Sequence, residues 1–423
     1  MTRSLTLGLL AATALAGFAG FTGPAHAAFR AQCEPLKAQG IDISDGHNVV
    51  CKHLTAGDGF ITMADQDRSN PAAEPTYIFG FSDVTPTDPT DFENSTQTVQ
   101  AKGRLAANFP APAIVVDEGD DLYLTLSNIG FAGRPDLFDP HTVHYHGFPN
   151  ASNVFDGEPE ASFGINVAQS LTYFYRFLEP GTYMYHCHQE AAEHMQMGML
   201  GITYVRPKQN KLAEQTFPNG FQHKAGNSYV YNDGDGETVY DVEVPLQIAG
   251  FDPSFHKASV DVQPPPFAFM EDAYPLLNGR GYPETANPAP LSTTGPLDGA
   301  EHVSQPMSAL VQATQGQKVL LRISSLDVQR FYTLGSQIPM KIVGKGARIF
   351  RGGGKAEGVK LAHLTNSVTV GGGESVDVII DTQDVPPGRY FLYTTNLNYL
   401  SNGDQDFGGL MTEFVIAPAS GAV

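Results

Sequence analysis

The chain has 423 residues, room for two or three domains, and its 45 acidic against 25 basic residues give a formal charge of −20. Such a surface repels nucleic acid and anionic lipid, which excludes a polyanion-binding role and favours cations or cationic partners. Only 17% of residues are charged, Gly (44) and Pro (30) are abundant and Trp is absent, a composition suited to a turn-rich β protein.

At the N-terminus, Arg3 is the only charge before an apolar run from Leu5 to Phe21, which ends in Gly-Pro-Ala-His-Ala. This pattern reads as a secretory signal over residues 1–27, cleaved after Ala27, so His26 leaves with it. A periplasmic or secreted protein is expected, and no later stretch is apolar enough to cross a bilayer. An N-terminal segment follows at 28–75. There Cys33 and Cys51 can pair in an oxidising compartment, leaving Cys187 as the odd thiol. Cys51-x-His53 also admits a metal reading, but the disulfide is the simpler one.

Short alternating segments then recur between Gly, Pro, Asn and Asp. Examples are 76–81, 113–116, 121–127, 171–177, 229–231, 319–323, 376–380 and 389–394. They predict β-sandwiches rather than helical packing. The polar stretch 208–237 reads as a linker separating a first domain (76–207) from a second (238–423). Arg351–Gly354 and Gly371–Gly373 read as hairpin turns.

Two clusters carry chemistry. One is His141-Thr142-Val143-His144-Tyr145-His146-Gly147, and the other is Tyr185-His186-Cys187-His188 followed by His194, Met195, Met197 and Met199. On strands, side chains alternate between faces. His144 and His146 then share a face with His186 and His188, while His141 and Cys187 point the other way. Two sites result, a four-imidazole site and a set of two His, one Cys and one Met. The second has the composition of a blue-copper site, and one Cys among so many His and Met favours copper over zinc. A covalent path runs from Cys187 to the adjoining His186 and His188.

At these residues the sequence resembles the multicopper oxidases, the laccase-like cupredoxin family, whose motifs are H-x-H-G, H-x-H, H-x-x-H-x-H and H-C-H-x-x-x-H-x-x-x-x-M. Ala106–Ile129 and Gly181–Tyr185 add to the resemblance. Leu277–Pro283, Gln317–Ile323, Gln329–Phe331 and Val368–Asp381 resemble that family's copper-free middle domain, so the likeness covers most of 76–418. It implies an all-β fold of two cupredoxin-like Greek-key β-sandwich domains in tandem, the second without copper motifs. It implies Cu as cofactor, with His141, Cys187, His194 and Met199 as type 1 ligands. His144, His146, His186 and His188 are then the catalytic ligands of type 2/type 3 copper. Met195 and Met197 become filler. The implied function is that of an exported oxidoreductase, taking electrons from a small-molecule or metal-ion reductant and passing them to dioxygen, with no nucleic-acid or membrane partner.

The chain departs from the family in three ways. A trinuclear cluster takes eight His from two facing domains, whereas this chain offers four, with first- and last-domain motifs merged in one unit. The remaining His47, His53, His223, His256, His302 and His363 are isolated. The Cys187–His194 spacing is two residues longer than the pattern. A homo-oligomer, or a partner supplying further His, would complete the cluster. A copper nitrite reductase-like enzyme would draw on His256, His302 or His363, and a non-catalytic electron-transfer or copper-binding protein would need neither. Glu190 and Glu193 are candidates for steering a cationic reductant, and Asp156 and Glu158 for moving protons or simply forming a turn.

Overall fold

In a computed structural model, residues 46–66, 74–86, 96–147 and 152–419 are described, together with Cys33 and Arg68. The signal segment lies outside them. The first domain is built from eight strands. These are β1 (Val49–Ile61), β2 (Thr76–Asp83), β3 (Ala111–Asp117), β4 (Asp121–Asn128), β5 (His144–His146), β6 (Ser170–Arg176), β7 (Gly181–His186) and β8 (Leu200–Arg206). They form two four-stranded sheets, ordered β2-β1-β4-β6 and β3-β8-β7-β5. β1 runs parallel to β4 and β3 parallel to β8, while the other pairs are antiparallel. Inward-facing Leu54, Phe79, Leu124, Tyr173, Tyr185 and Val205 fill the space between the sheets.

The first domain therefore starts earlier than its expected boundary at residue 76. β1 lies inside the sandwich and is tied by a Cys33–Cys51 disulfide. Its alternation is muted because Ala56-Gly57-Asp58-Gly59 puts small and acidic residues in the strand. Buried Asp58 is satisfied there by the Tyr77 hydroxyl (2.7 Å) and the Gly133 N–H (2.6 Å). His53 is buried on the same strand, with Nε2 2.8 Å from Ser127 Oγ, and joins no metal-binding group among the described residues.

In the second domain the strands follow the order Tyr274–Leu277, Val242–Phe251, Lys318–Ser325, Glu374–Asp381, Tyr332–Lys345, Gly388–Thr394, Met411–Ala417, Val311–Thr314. The long strand Tyr332–Lys345 pairs with Gly388–Thr394 through its first half and with Glu374–Asp381 through its second. It thereby carries the sheet around a core that includes Leu246, Leu321, Val378, Leu392 and Phe414. Residues 208–237 are more than a linker. They contain the hairpin Gln215–Thr216 with Gln222–His223, and Ser228–Tyr229 pairs just beyond them with Val239–Tyr240, where Val230, Tyr231 and Tyr240 are buried with Leu320, Val343 and Ile379. The polar run looked like a loop because its groups satisfy one another. Asp233, for example, accepts the backbone N–H of Asp235, Gly236 and Thr238.

Two short helices matter for the site. α1 (Ala191–Met197) follows the cysteine, and α2 (Pro253–Asp261) belongs to the second half of the chain. α2 is started by Asp252, whose carboxylate accepts from the Ser254 and Phe255 N–H groups, with Pro at the first helical position. Its Phe255 packs into the core of the first domain. A buried polar seam joins the domains elsewhere. Arg322 contacts Glu243 (2.7 Å) and Thr182 Oγ1 (3.1 Å), and Asp377 accepts the Thr182 and Tyr231 hydroxyls.

Candidate metal centres

The register of two strands assembles both clusters. His144 lies directly opposite His186 across the antiparallel β5–β7 pair, and Tyr145 opposite Tyr185. The tyrosines therefore point into the core and the imidazoles to the other face. His141 sits just before β5, held by reciprocal backbone hydrogen bonds with Ile165 (3.1 and 2.9 Å). Cys187 caps the end of β7, and its N–H donates to the Met199 carbonyl (3.0 Å).

The expected loop to His194 is instead α1. Glu190 takes a left-handed conformation (φ 48°), and its carbonyl accepts from the Glu193 and His194 N–H groups. α1 ends at Gly198 (φ +124°), where a Cβ would approach the Phe79 carbonyl oxygen to 2.6 Å. The two extra residues of the Cys–His spacing are absorbed in this helical turn.

Cys187, His141 and His194 are fully buried and converge. Sγ lies 3.2 Å from His194 Nδ1 and 3.8 Å from His141 Nδ1, and the Thr142 N–H points at it from 3.4 Å. Met199 is buried in the same core cluster. Burial holds His194 down to about 3 and His141 well below the usual imidazole range, and it pushes the Cys187 thiol up to about 12. The set is thus two neutral imidazoles and a thiol that ionises only beside a cation, the donor chemistry of a soft metal site. Phe131 and Phe79 rings wall it in, 5.3 Å from His141 and 5.8 Å from His194.

On the opposite face the rings of His144, His146, His186 and His188 lie close together. His144 and His188 are 4.5 Å apart, His146 and His186 5.0 Å, and His186 and His188 5.0 Å. One ring nitrogen from each of His144, His146 and His186 lies within 4.8 Å of the others, a grouping that leaves out His188. His144 Nδ1 meets the Asp156 carbonyl at 2.6 Å, and His186 Nδ1 meets the Cys187 carbonyl at 2.7 Å. Burial lowers His146, His186 and His188, so these rings are neutral near pH 7. Asp156 thus positions His144 through its backbone. Together with Glu158 it also lends negative charge near His188.

The two acidic residues of the cysteine loop separate in role. Glu190 stays half exposed, 3.9 Å from His194 Nε2, where it is joined by Asp139 at 4.0 Å. Burial and Glu190 raise the Asp139 carboxyl to about 6. Glu193 is buried, and its carboxylate accepts from Ser259 Oγ and Gln263 Nε2 in the second half of the chain. It joins domains and steers nothing. Asp139 was not singled out from sequence, where its only signal is standing two residues before His141.

The isolated histidines scatter. His256 is fully buried on α2, with its ring between the carbonyls of Tyr77 (2.6 Å) and Gln196 (2.9 Å), out of reach of another chain. His302 pairs with Asp298, and His363 is exposed on a second-domain strand.

A family model described as Multicopper oxidase matches residues 89–210. Laccase 1 of Metarhizium acridum is 30% identical over 124 residues, 28% of this chain and 19% of that protein. Multicopper oxidase MCE of Talaromyces pinophilus is 33% identical over 108 residues, 25% of this chain and 16% of that protein. The chain thus spans less than a fifth of the length of these relatives. Two solved structures are similar over nearly the whole chain. The blue copper oxidase from Nitrosomonas europaea has a TM-score of 0.56 at 20% identity, covering 88% of this chain and 86% of that one. Multicopper oxidase mgLAC has a TM-score of 0.57 at 20% identity, covering 89% and 88%. These likenesses bear out the tandem cupredoxin-like β fold. The family match over the domain that holds the donors, and the donor chemistry itself, both fit copper.

Proposed function

We propose that this chain, whose residues 89–210 match a family model described as Multicopper oxidase, is a copper-dependent oxidoreductase with two linked metal sites. Electrons from a small-molecule or metal-ion reductant enter at His141, Cys187, His194 and axial Met199. They leave for the imidazole face, where dioxygen is the acceptor. The observation that carries this reading is the placement of Cys187 between His186 and His188, with its side chain on one face and theirs on the other. Copper bound at the cysteine set would supply one-electron chemistry with little rearrangement, since thiolate suits Cu(I) and imidazole tolerates Cu(II).

The chain's own residues do the rest. Thr142 directs its N–H at Cys187 Sγ and favours the thiolate. The aromatic wall keeps water from the sulfur. Asp139 and Glu190 give the outer edge of His194 a negative rim where a cationic reductant can approach. On the acceptor side, His188 and the nearby Asp156 and Glu158 can hold protons at the surface of the site. His144, His146 and His188 stay partly exposed, so a second copy of the chain could reach them. Export to the periplasm or medium fits the Cys33–Cys51 disulfide, a bond that persists in oxidising compartments.

Oxygen uptake by the copper-loaded chain, with electron-rich phenols, ferrous and cuprous ions offered in turn, tests the proposal. Uptake with at least one donor, lost in Cys187→Ser, is expected. No uptake with any of them would leave an electron carrier rather than an oxidase.

A further inference from the structure

Resting on the cysteine site of that reading, we infer that Asp272 of the second domain is a positioning residue for it. Its side chain shares one proton with Asp327 and, through Gln196, fixes the helix that carries His194. The donors around the two carboxyls are unequally divided. Asp327 Oδ1 accepts the N–H groups of Gln329 (2.7 Å) and Arg330 (2.6 Å), and its Oδ2 accepts the Tyr332 hydroxyl (3.0 Å). Asp272 Oδ1 accepts from Gln196 Nε2 (3.0 Å), while its Oδ2 is buried with no donor among the described residues. Both Oδ2 atoms crowd Gly250 on the strand Val242–Phe251, where a Cβ would clash with each of them. Two buried carboxylates so placed repel, whereas one proton on Asp272 Oδ2 satisfies that oxygen and bonds it to Asp327. Burial first and Asp327 second raise the Asp272 carboxyl to about 7, with the Gln196 hydrogen bond and Arg330 opposing.

What the pair holds is α1. Gln196 is buried two residues past His194, and the second half of the chain grips it twice. Asp272 takes its side-chain amide, and the His256 ring, between the Tyr77 and Gln196 carbonyls, takes its main chain. The groups facing Asp272 are Asp327, Arg330 and Tyr332 from one second-domain segment and Gln196 from α1, with His256 behind Gln196. When the shared proton leaves, the two carboxylates move apart and Gln196 follows its acceptor. The displacement reaches His194, whose Nδ1 stands 3.2 Å from Cys187 Sγ. The proton-linked grip is complete below the ordinary carboxylate range of about 4 and is lost as the pH rises through 7. Asp327 also abuts the turn Gly371–Gly373, where a Cβ on Gly372 would clash with the Asp327 carbonyl oxygen. A Cβ on Gly373 (φ +84°) would come within 2.8 Å of His146 Nδ1, so this corner of the second domain borders both metal faces.

Hydrogen exchange in the metal-free, full-length chain and the visible band of the copper-loaded chain test this together. In the metal-free parent, protection of the α1 amides, corrected for intrinsic rates, should fall about tenfold from pH 6 to pH 8. Asp272→Asn should keep its protection, because an amide reproduces the protonated carboxyl, accepting from Gln196 and donating to Asp327. In the copper-loaded parent, the intense visible band that reports the cysteine site should shift over the same range. The band should stay at its acid position in Asp272→Asn. It should lose its pH response in Gln196→Leu, which cuts the link and leaves the acid pair in place. Protection in the parent that ignores pH, or a fall that survives Asp272→Asn, would overturn the inference. So would a band shift that persists in Asp272→Asn, which would trace to Asp139 and Glu190 beside His194 instead. The exchange response together with copper bound without any visible band would uphold the grip on α1 and contradict the two-site reading beneath it.

Discussion

Burial sets the chemistry of single residues throughout this chain, and pH exposes it. His53 is held down to about 4, chiefly by burial, with Asp83 partly opposing. The unfolded chain takes up its proton near pH 6.5 while the folded chain resists. The stability contributed by neutral His53 is therefore complete above about pH 6.5 and is lost as the pH falls towards 4. Thermal melts over this range should show a shallower acid loss in His53→Gln than in the parent. Asp272 slopes the other way. Burial first, and then neighbouring Asp327, raise its carboxyl to about 7, with Gln196 Nε2 on its other oxygen. Stability from the protonated form is lost as the pH rises towards and through 7, so Asp272→Asn should melt higher than the parent at pH 8. Equal melting temperatures there would refute the assignment. Much of the residue-scale site was readable beforehand. Strand alternation alone separates His141 and Cys187 from His144, His146, His186 and His188. Glu193 could not be read, because what buries it is Ser259 and Gln263, distant in sequence. Gly373 reads locally as a turn residue, and nothing near it says that the turn ends on His146.

At the scale of elements, short connections do most of the positioning. α1 replaces an expected loop because the six residues between Cys187 and His194 leave room for a turn of helix, ended by a residue that must be glycine. Gly198→Ala would drive a Cβ against the Phe79 carbonyl at an unfavourable φ, so a loss of at least about 1 kcal/mol is expected together with a shifted visible band. Unchanged spectrum and stability would show that α1 tolerates a different ending. β1 escaped the sequence reading because its core-facing stretch includes an aspartate and two glycines, so hydrophobic period failed where hydrogen bonding to Asp58 does the work. The Cys33–Cys51 bond closes a loop with a sequence separation of 18 onto this strand. Replacing both cysteines with serine should lower unfolding stability by about 3 kcal/mol while leaving the visible band in place, as denaturant titration followed at that band would record.

For the whole molecule, the two domains are joined by a buried polar seam on one side and by α2 on the other. Arg322 is fully buried between Glu243 (2.7 Å) and Asp377 (3.6 Å). Arg322→Ala would strand two carboxylates and should cost about 3–5 kcal/mol in a calorimetric or denaturant unfolding experiment. α2 reaches the cysteine site itself, since His256 contacts the Gln196 carbonyl in the helix that bears His194. The second domain thus touches both metal faces, through Gln196 at one and Gly373 at the other. Residues 208–237 belong to this framework and pack with its core. The measurement that tests the central claim most directly is a titration of metal-free, full-length protein with copper, followed by visible absorption. One intense band that saturates at about one equivalent and is absent in Cys187→Ser is the predicted result. Tight copper binding with no such band would contradict the account.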